Sequence, residues 1–149
     1  MKGYKTKMKK TIIKSLILAL LTLTFVISLI SCNRQIDQGL WENAIYKEDT
    51  TLGSGAKAVT VQVTFDEKTV TFTVKTDKDT VGAALLENEL ITGEDSQYGL
   101  YIKSVNGIVA DFDIDQSYWA FYINGEYAMS GVDTTQITEG AIYQLVYTK

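Results

Sequence analysis

The run Leu29-Ile30-Ser31-Cys32 places the chain's only thiol directly behind a small side chain and an aliphatic stretch. A thiol at such a position can act as the nucleophile that accepts a diacylglyceryl group. A small residue in front of it fits the narrow pocket of a signal peptidase. The spacing matches a lipobox, with Leu29 at −3, a tolerant −2 position, Ser31 at −1 and then Cys32. The segment before it agrees. Lys2, Lys5, Lys7, Lys9, Lys10 and Lys14 accompany no acidic residue, and an apolar run from Ile12 to Ile30 is broken only by Lys14 and small polar residues. A basic start, an apolar stretch and a small residue before the cut describe a secretory signal. Residues 1–31 are therefore expected to be a lipoprotein signal peptide. Cys32 is then the lipid-bearing first residue of a mature chain on the extracytoplasmic face of a bacterial cell membrane. An uncleaved transmembrane anchor is the other reading, because the 19 residues from Ile12 to Ile30 just reach across a bilayer.

Other chemistry is excluded by composition. The chain has no histidine and no second cysteine, which removes Ser-His-Asp and Cys-His nucleophilic sites, Cys/His zinc sites and any intramolecular disulfide. Carboxylate-only catalysis, as in glycoside hydrolysis, is still open in principle. No flanking motif supports it, so the chain is expected not to be an enzyme and to require no cofactor. Asp111, Asp113 and Asp115 begin like a calcium loop, but such a loop needs glycine at its sixth position and glutamate at its twelfth, where this chain has Gln116 and Tyr122. A solvated connection between two strands is the plainer reading of these aspartates.

Charge narrows the partners. Residues 32–149 carry eight basic and eighteen acidic side chains, a net of −10. A surface that acidic repels phosphate backbones and argues against nucleic acid.

The elements that must position any site follow from periodicity. Residues 32–57 are polar, weakly periodic and contain Gly39, Gly53 and Gly55, as a tether would be. Leu40, Trp41, Ile45 and Tyr46 within it are apolar enough to dock on a domain. From Val59 the period becomes two: Val59, Val61, Val63 and Phe65, a polar turn at Asp66-Glu67-Lys68, then Val70, Phe72 and Val74. That pattern is a hairpin with one buried face. Asp79-Thr80 offers an N-cap to a helix carrying Val81, Ala84 and Leu85 and ending near Asn88. Gly93 to Gly99 reads as a loop, and Leu100–Val105, Tyr118–Ile123 and Ile142–Tyr147 read as strands. Asn124-Gly125 is a strong hairpin signal. One helix covering one face of a mixed sheet of four to five strands is a two-layer, β-grasp-like α+β domain, expected over residues 58–149.

Three segments together carry a resemblance: Tyr98-Gly99-Leu100-Tyr101-Ile102-Lys103-Ser104-Val105-Asn106-Gly107, Tyr118-Trp119-Ala120-Phe121-Tyr122-Ile123-Asn124-Gly125, and Ser130-Gly131-Val132-Asp133 with Ile137 and Gly140. They resemble the transcobalamin-like C-terminal domain family, the small β-domain of vertebrate cobalamin carriers that also occurs alone in bacterial secreted lipoproteins. The stretch Trp41 to Gly55 is similar to the bacterial branch. The resemblance implies a corrinoid ligand, cobalamin or a relative. It also implies contacts from Ser96, Tyr98 and Tyr101 before and in the central strand, from Trp119, and from Met129 and Ser130 in a second loop. In the carriers a large helical domain closes the other side of the ligand; these 149 residues contain no counterpart, so half of that enclosure is missing.

Two functional readings of different class stand side by side. One is a ligand-binding module that captures a corrinoid or similar compound and passes it to a membrane importer. The other is a surface module that binds protein or glycan without a small-molecule ligand. Aromatics and hydroxyl-bearing loops suit the first, and solitary occurrence of the domain suits the second.

Overall fold

The computed structural model describes residues 38–149. Cys32 and the expected signal segment lie outside the described residues. Residues Leu40–Lys149 form one compact unit.

The elements in chain order are α1 (Gln38–Glu42), β1 (Thr50–Gly53), β2 (Lys57–Phe65), β3 (Lys68–Thr76), α2 (Val81–Glu87), β4 (Ile91–Ser96), β5 (Gly99–Val105), β6 (Ile108–Val109), α3 (Phe112–Asp115), β7 (Tyr118–Ile123), β8 (Glu126–Tyr127) and β9 (Ile142–Thr148). They make an α+β domain with a six-stranded sheet in the order β1-β3-β2-β9-β7-β8 and a three-stranded sheet in the order β4-β5-β6. Strand β2 pairs antiparallel with β3 and parallel with β9, and β9 pairs antiparallel with β7.

The period-two alternation of β2 and β3 does what it implies. Val59, Val61, Val63, Phe65, Val70, Phe72 and Val74 are buried on one face. The opposite face carries mainly threonines, with Gln62, and includes a Thr64–Thr69 hydroxyl pair at 2.9 Å. Registers Val61↔Tyr143 and Val63↔Leu145 extend the buried face into β9. Val81, Ala84 and Leu85 of α2 and Ile91, Ile102, Val105 and Ile108 of the smaller sheet join the same core. Thr80 caps α2, its side chain accepting from the Ala83 N–H at 3.3 Å. Asn124 and Gly125 both have positive φ, 52° and 85°, which the tight β7–β8 turn demands.

The expected strand count of four to five is corrected to six plus three. Two of the added strands, β4 and β1, lie in segments expected to be irregular. The stretch expected to be a loop from Gly93 to Gly99 forms much of the β4–β5 hairpin, with an irregular register between Thr92 and Gly93. Gly93, Asp95 and Ser96 have poor strand propensity and masked the strand. At Gly93 a Cβ would meet the Tyr101 carbonyl oxygen at 2.5 Å, so only glycine fits this close approach.

The second segment lies inside the expected tether. Thr50–Gly53 pairs parallel with β3, from Thr50↔Phe72 to Gly53↔Lys75. The Trp41 indole N–H donates to the Phe65 carbonyl at 3.1 Å, and its ring lies edge-on to Phe65 at 6.3 Å. Tyr46 lies edge-on to Phe72 at 5.8 Å. Residues 40–57 are thus part of the fold, and the expected domain boundary at residue 58 falls within it.

Candidate functional site

Strands β5 and β7 lie beside each other, yet they belong to different sheets. The side of β7 away from β9 pairs with β8 only at Tyr122 and Ile123. One further bond, from the Ala128 N–H to the Phe121 carbonyl at 3.0 Å, continues that edge before the chain turns away. A gap opens between β5, the first half of β7 and the segment after β8. It forms a cavity of about 270 Å³ lined by Leu100–Ile102, Tyr118, Trp119, Phe121 and Tyr127–Val132.

Helix α2 holds the far wall of this cavity. The Gly82 N–H donates to the Val132 carbonyl at 2.7 Å, and the Val81 N–H donates to the Thr135 carbonyl at 2.9 Å. The Ile137 N–H donates to the Asp79 carbonyl at 2.8 Å. A Cβ at Gly82 would lie 2.8–2.9 Å from backbone atoms of Val132 and Asp133, so this close docking depends on glycine. Within the loop, the Thr135 hydroxyl donates to the Gly131 carbonyl at 2.8 Å and lies 3.0 Å from the Ser130 hydroxyl. Asp133 sits between this loop and the β4–β5 hairpin, its carboxylate packed against Gly99 and Gly131. Its buried Oδ1 has no hydrogen-bond partner among the described residues.

Of the six residues expected to contact a ligand, Tyr101, Trp119, Met129 and Ser130 line the cavity. Their exposures differ widely. Met129 is 98% exposed at the rim, whereas Trp119 is 7% exposed. The Trp119 indole N–H donates to the Ile108 carbonyl at 3.3 Å, and the ring lies edge-on to Tyr147 at 5.4 Å. Trp119 is mainly a core side chain that shows the cavity a margin. Ser96 and Tyr98 line neither this cavity nor the adjoining one described below. They form the tip of the β4–β5 hairpin, where the Ser96 hydroxyl donates to the Gly99 carbonyl at 2.7 Å and accepts from the Tyr98 N–H at 3.1 Å.

A second cavity of about 470 Å³ adjoins the first, sharing Tyr101 and Tyr118 and adding Lys103, Phe112 and Asp113. Lys103 and Phe112 were not among the expected site residues, and Asp113 was weighed only as part of a calcium-like loop. The available signal was Phe112 and Ile114, large apolar residues set between aspartates in a segment too short to bury them. They are 55% and 83% exposed.

The aspartates around Phe112 serve the turn. Asp111 caps α3, its Oδ1 accepting from the N–H groups of Asp113 at 3.0 Å and Ile114 at 3.3 Å. The Asp115 Oδ1 accepts from the Ser117 hydroxyl at 2.5 Å, and its Oδ2 pairs with the Lys149 ammonium at 3.0 Å. The Ser117 hydroxyl first, and Lys149 next, hold the Asp115 carboxyl down at about 2. Among the described residues no group of three or more His, Cys, Asp or Glu side chains is placed to hold a metal ion.

A two-sheet α+β domain with an aromatic groove at the sheet junction is the class these features define. Residues 78–142 match the model of a family described as Domain of unknown function (DUF4430). A solved structure from Ruminococcus gnavus ATCC 29149, titled as a candidate metal-binding protein, is similar at 30% identity with a TM-score of 0.59, covering 63% of this chain and 98% of that one. By that identity over nearly its whole length, this chain belongs to the same family as the Ruminococcus gnavus protein. Haptocorrin in complex with Cbi is similar in fold, at 23% identity and a TM-score of 0.51. The likeness covers 62% of this chain, which spans a quarter of the haptocorrin chain. No curated protein matches the chain.

Proposed function

We propose that the chain is a non-enzymatic binding module, lipid-anchored through Cys32 on the outer side of a bacterial membrane. Its groove between β5, β7 and the Tyr127–Val132 segment takes a large, partly apolar ring compound of the corrinoid class. The observation that carries this reading is convergence. Tyr101, Trp119, Met129 and Ser130, up to 29 positions apart in sequence, line one cavity. The fold shared with haptocorrin supports the ligand class. A corrin ring is apolar on its faces and rimmed by amides, and aromatic walls with a few hydroxyls suit both.

With no histidine in the chain, the protein cannot replace an axial cobalt ligand with imidazole. Binding then comes from the ring face and its amides, and the visible spectrum of the corrinoid stays nearly unchanged. A groove of about 270 Å³ covers only part of so large a ring, so affinity is expected on the order of micromolar or weaker. The test is a calorimetric titration of the full chain in detergent with cobalamin and with cobinamide. Saturable heat that is lost in the double variant Tyr101→Ala/Met129→Ala supports the reading. Absence of saturation for both compounds refutes it.

The exposed Tyr98 and Met129, at 88% and 98%, favour the second reading, a protein-interaction surface centred on the two loop tips. Retention of a partner protein by the wild type and not by Tyr98→Ala/Met129→Ala, without corrinoid binding, is the outcome that selects it.

A further inference from the structure

The second cavity has a chemistry of its own. It is lined by three aromatic residues, Tyr101, Phe112 and Tyr118, with one basic residue, Lys103, and one acidic residue, Asp113. The two charges share the cavity, yet Lys103 and Asp113 form no ion pair with each other or with any described residue. Lys103 lies over the Tyr101 ring, its ammonium 5.3 Å from the centroid. Phe112, more than half exposed, has no aromatic partner among the described residues. The core does not require this ring at the surface.

Each feature constrains what fits. A ligand with a single charge would be drawn by one of Lys103 and Asp113 and repelled by the other, so the pair suits a molecule whose charges balance, either uncharged or zwitterionic. The ammonium offers only donors and the carboxylate only acceptors. The ligand must therefore accept and donate on the same rim. Three aromatic residues along the lining favour apolar faces as well. A neutral saccharide meets all three conditions: its hydroxyls both donate and accept, and its axial C–H groups form an apolar face that lies flat on an aromatic ring. A cavity of about 470 Å³ is of the size that holds one or two sugar rings.

We propose that the cleft formed by Tyr101, Lys103, Phe112, Asp113 and Tyr118 is a glycan-binding site for a neutral saccharide. In it Phe112 is the stacking platform, Lys103 the hydrogen-bond donor and Asp113 the acceptor. The site adjoins the groove proposed for the ring ligand and shares Tyr101 and Tyr118 with it, while Lys103, Phe112 and Asp113 line only this second cavity.

The test is ¹H,¹⁵N correlation spectroscopy of the full chain in detergent, titrated with cellobiose, lactose and N,N′-diacetylchitobiose, and in parallel with the amino acid phenylalanine as a zwitterionic control. Saturable shifts at the amides of Lys103, Phe112 and Asp113 with at least one disaccharide are expected. Phe112→Ala should weaken that binding about tenfold. Lys103→Met and Asp113→Asn should each weaken it by about tenfold, the cost of one hydrogen bond to a charged group. Phe112→Trp should retain it. Overall dispersion of the spectra reports whether each variant is folded. No saturable shift with any of the three disaccharides overturns the proposal. So does saturation by phenylalanine alone, or shifts confined to Tyr127–Val132. Loss of corrinoid binding with sugar binding intact would refute the groove's assignment and leave this one standing.

Discussion

Asn106 shows how a turn residue can act as a clamp. With φ of 51° and Gly107 next to it, it satisfies the geometry of the β5–β6 turn. Yet it is fully buried, and its side chain faces the segment expected to be a tether. Its Oδ1 accepts from the Tyr46 N–H at 2.9 Å, and its Nδ2 donates to the Tyr46 carbonyl at 2.8 Å. Its own carbonyl accepts from the Ile45 N–H at 3.0 Å. Asn106→Ala leaves two main-chain groups of Tyr46 without these partners and should destabilise the fold by about 2–3 kcal/mol, measured by urea denaturation. An unchanged midpoint would refute the clamp. Asp115 gives a pH-dependent counterpart. Its folded carboxyl lies at about 2, held there by Ser117 and Lys149, against ~3.9 for an unfolded aspartate. A depressed carboxylate stabilises the fold above the unfolded value, and that contribution is lost as pH falls from about 4 toward 2. The stability gap between wild type and Asp115→Asn should therefore be constant near neutrality and close across that window. A gap that stays constant down to pH 2 would refute the assignment.

Among the elements, α2 decides where the groove's far wall stands. Its first turn is bonded to the carbonyls of Val132 and Thr135, and Gly82 permits the contact. Gly82→Ala puts a Cβ against backbone rather than against a flexible side chain. The helix and loop must then part. A loss of about 1–3 kcal/mol is expected, read as a lower Tm, together with weaker binding in the groove. Wild-type values for both would show that the wall stands without this contact. The same helix shows which elements were legible beforehand. Its cap at Thr80, its buried Val81, Ala84 and Leu85 and its end at Asn88 all follow from local rules. Strand β4 does not, because its glycine and polar residues are tolerated only where β5 supplies an antiparallel partner along its length, with one irregularity between Thr92 and Gly93.

At the scale of the whole molecule, the folded unit begins at Leu40, eight residues beyond Cys32. If Cys32 carries a lipid, the folded unit stands close to the membrane rather than at the end of a 25-residue tether. Two acyl chains on one sulfur anchor stably where one chain binds only marginally. Wild type should fractionate with membranes and incorporate a fatty-acid analogue, whereas Cys32→Ala should be released or persist as uncleaved precursor. Equal labelling of the two would refute lipidation at Cys32.

The sequence by itself determined the parts governed by short-range rules. Alternating valines and threonines make the β2–β3 hairpin, since the pleat repeats every two residues. Asn124-Gly125 makes the β7–β8 turn, since both tolerate positive φ. The absence of histidine limits the chemistry without reference to any coordinate. Tyr101, Trp119, Met129 and Ser130 were named from a resemblance, and their meeting around one cavity could not be read from spacing. Only the tertiary structure decided that Ser96 and Tyr98 stand at a hairpin tip away from it, that Trp119 is mostly core, and that Trp41 and Tyr46 are docked. It alone brought Lys103 and Phe112 into one cleft. The physical reason is that a residue's burial and neighbours depend on contacts between strands distant in sequence. In this domain β2 pairs with β9, and β5 stands beside β7 without pairing. No local periodicity encodes which strand arrives there.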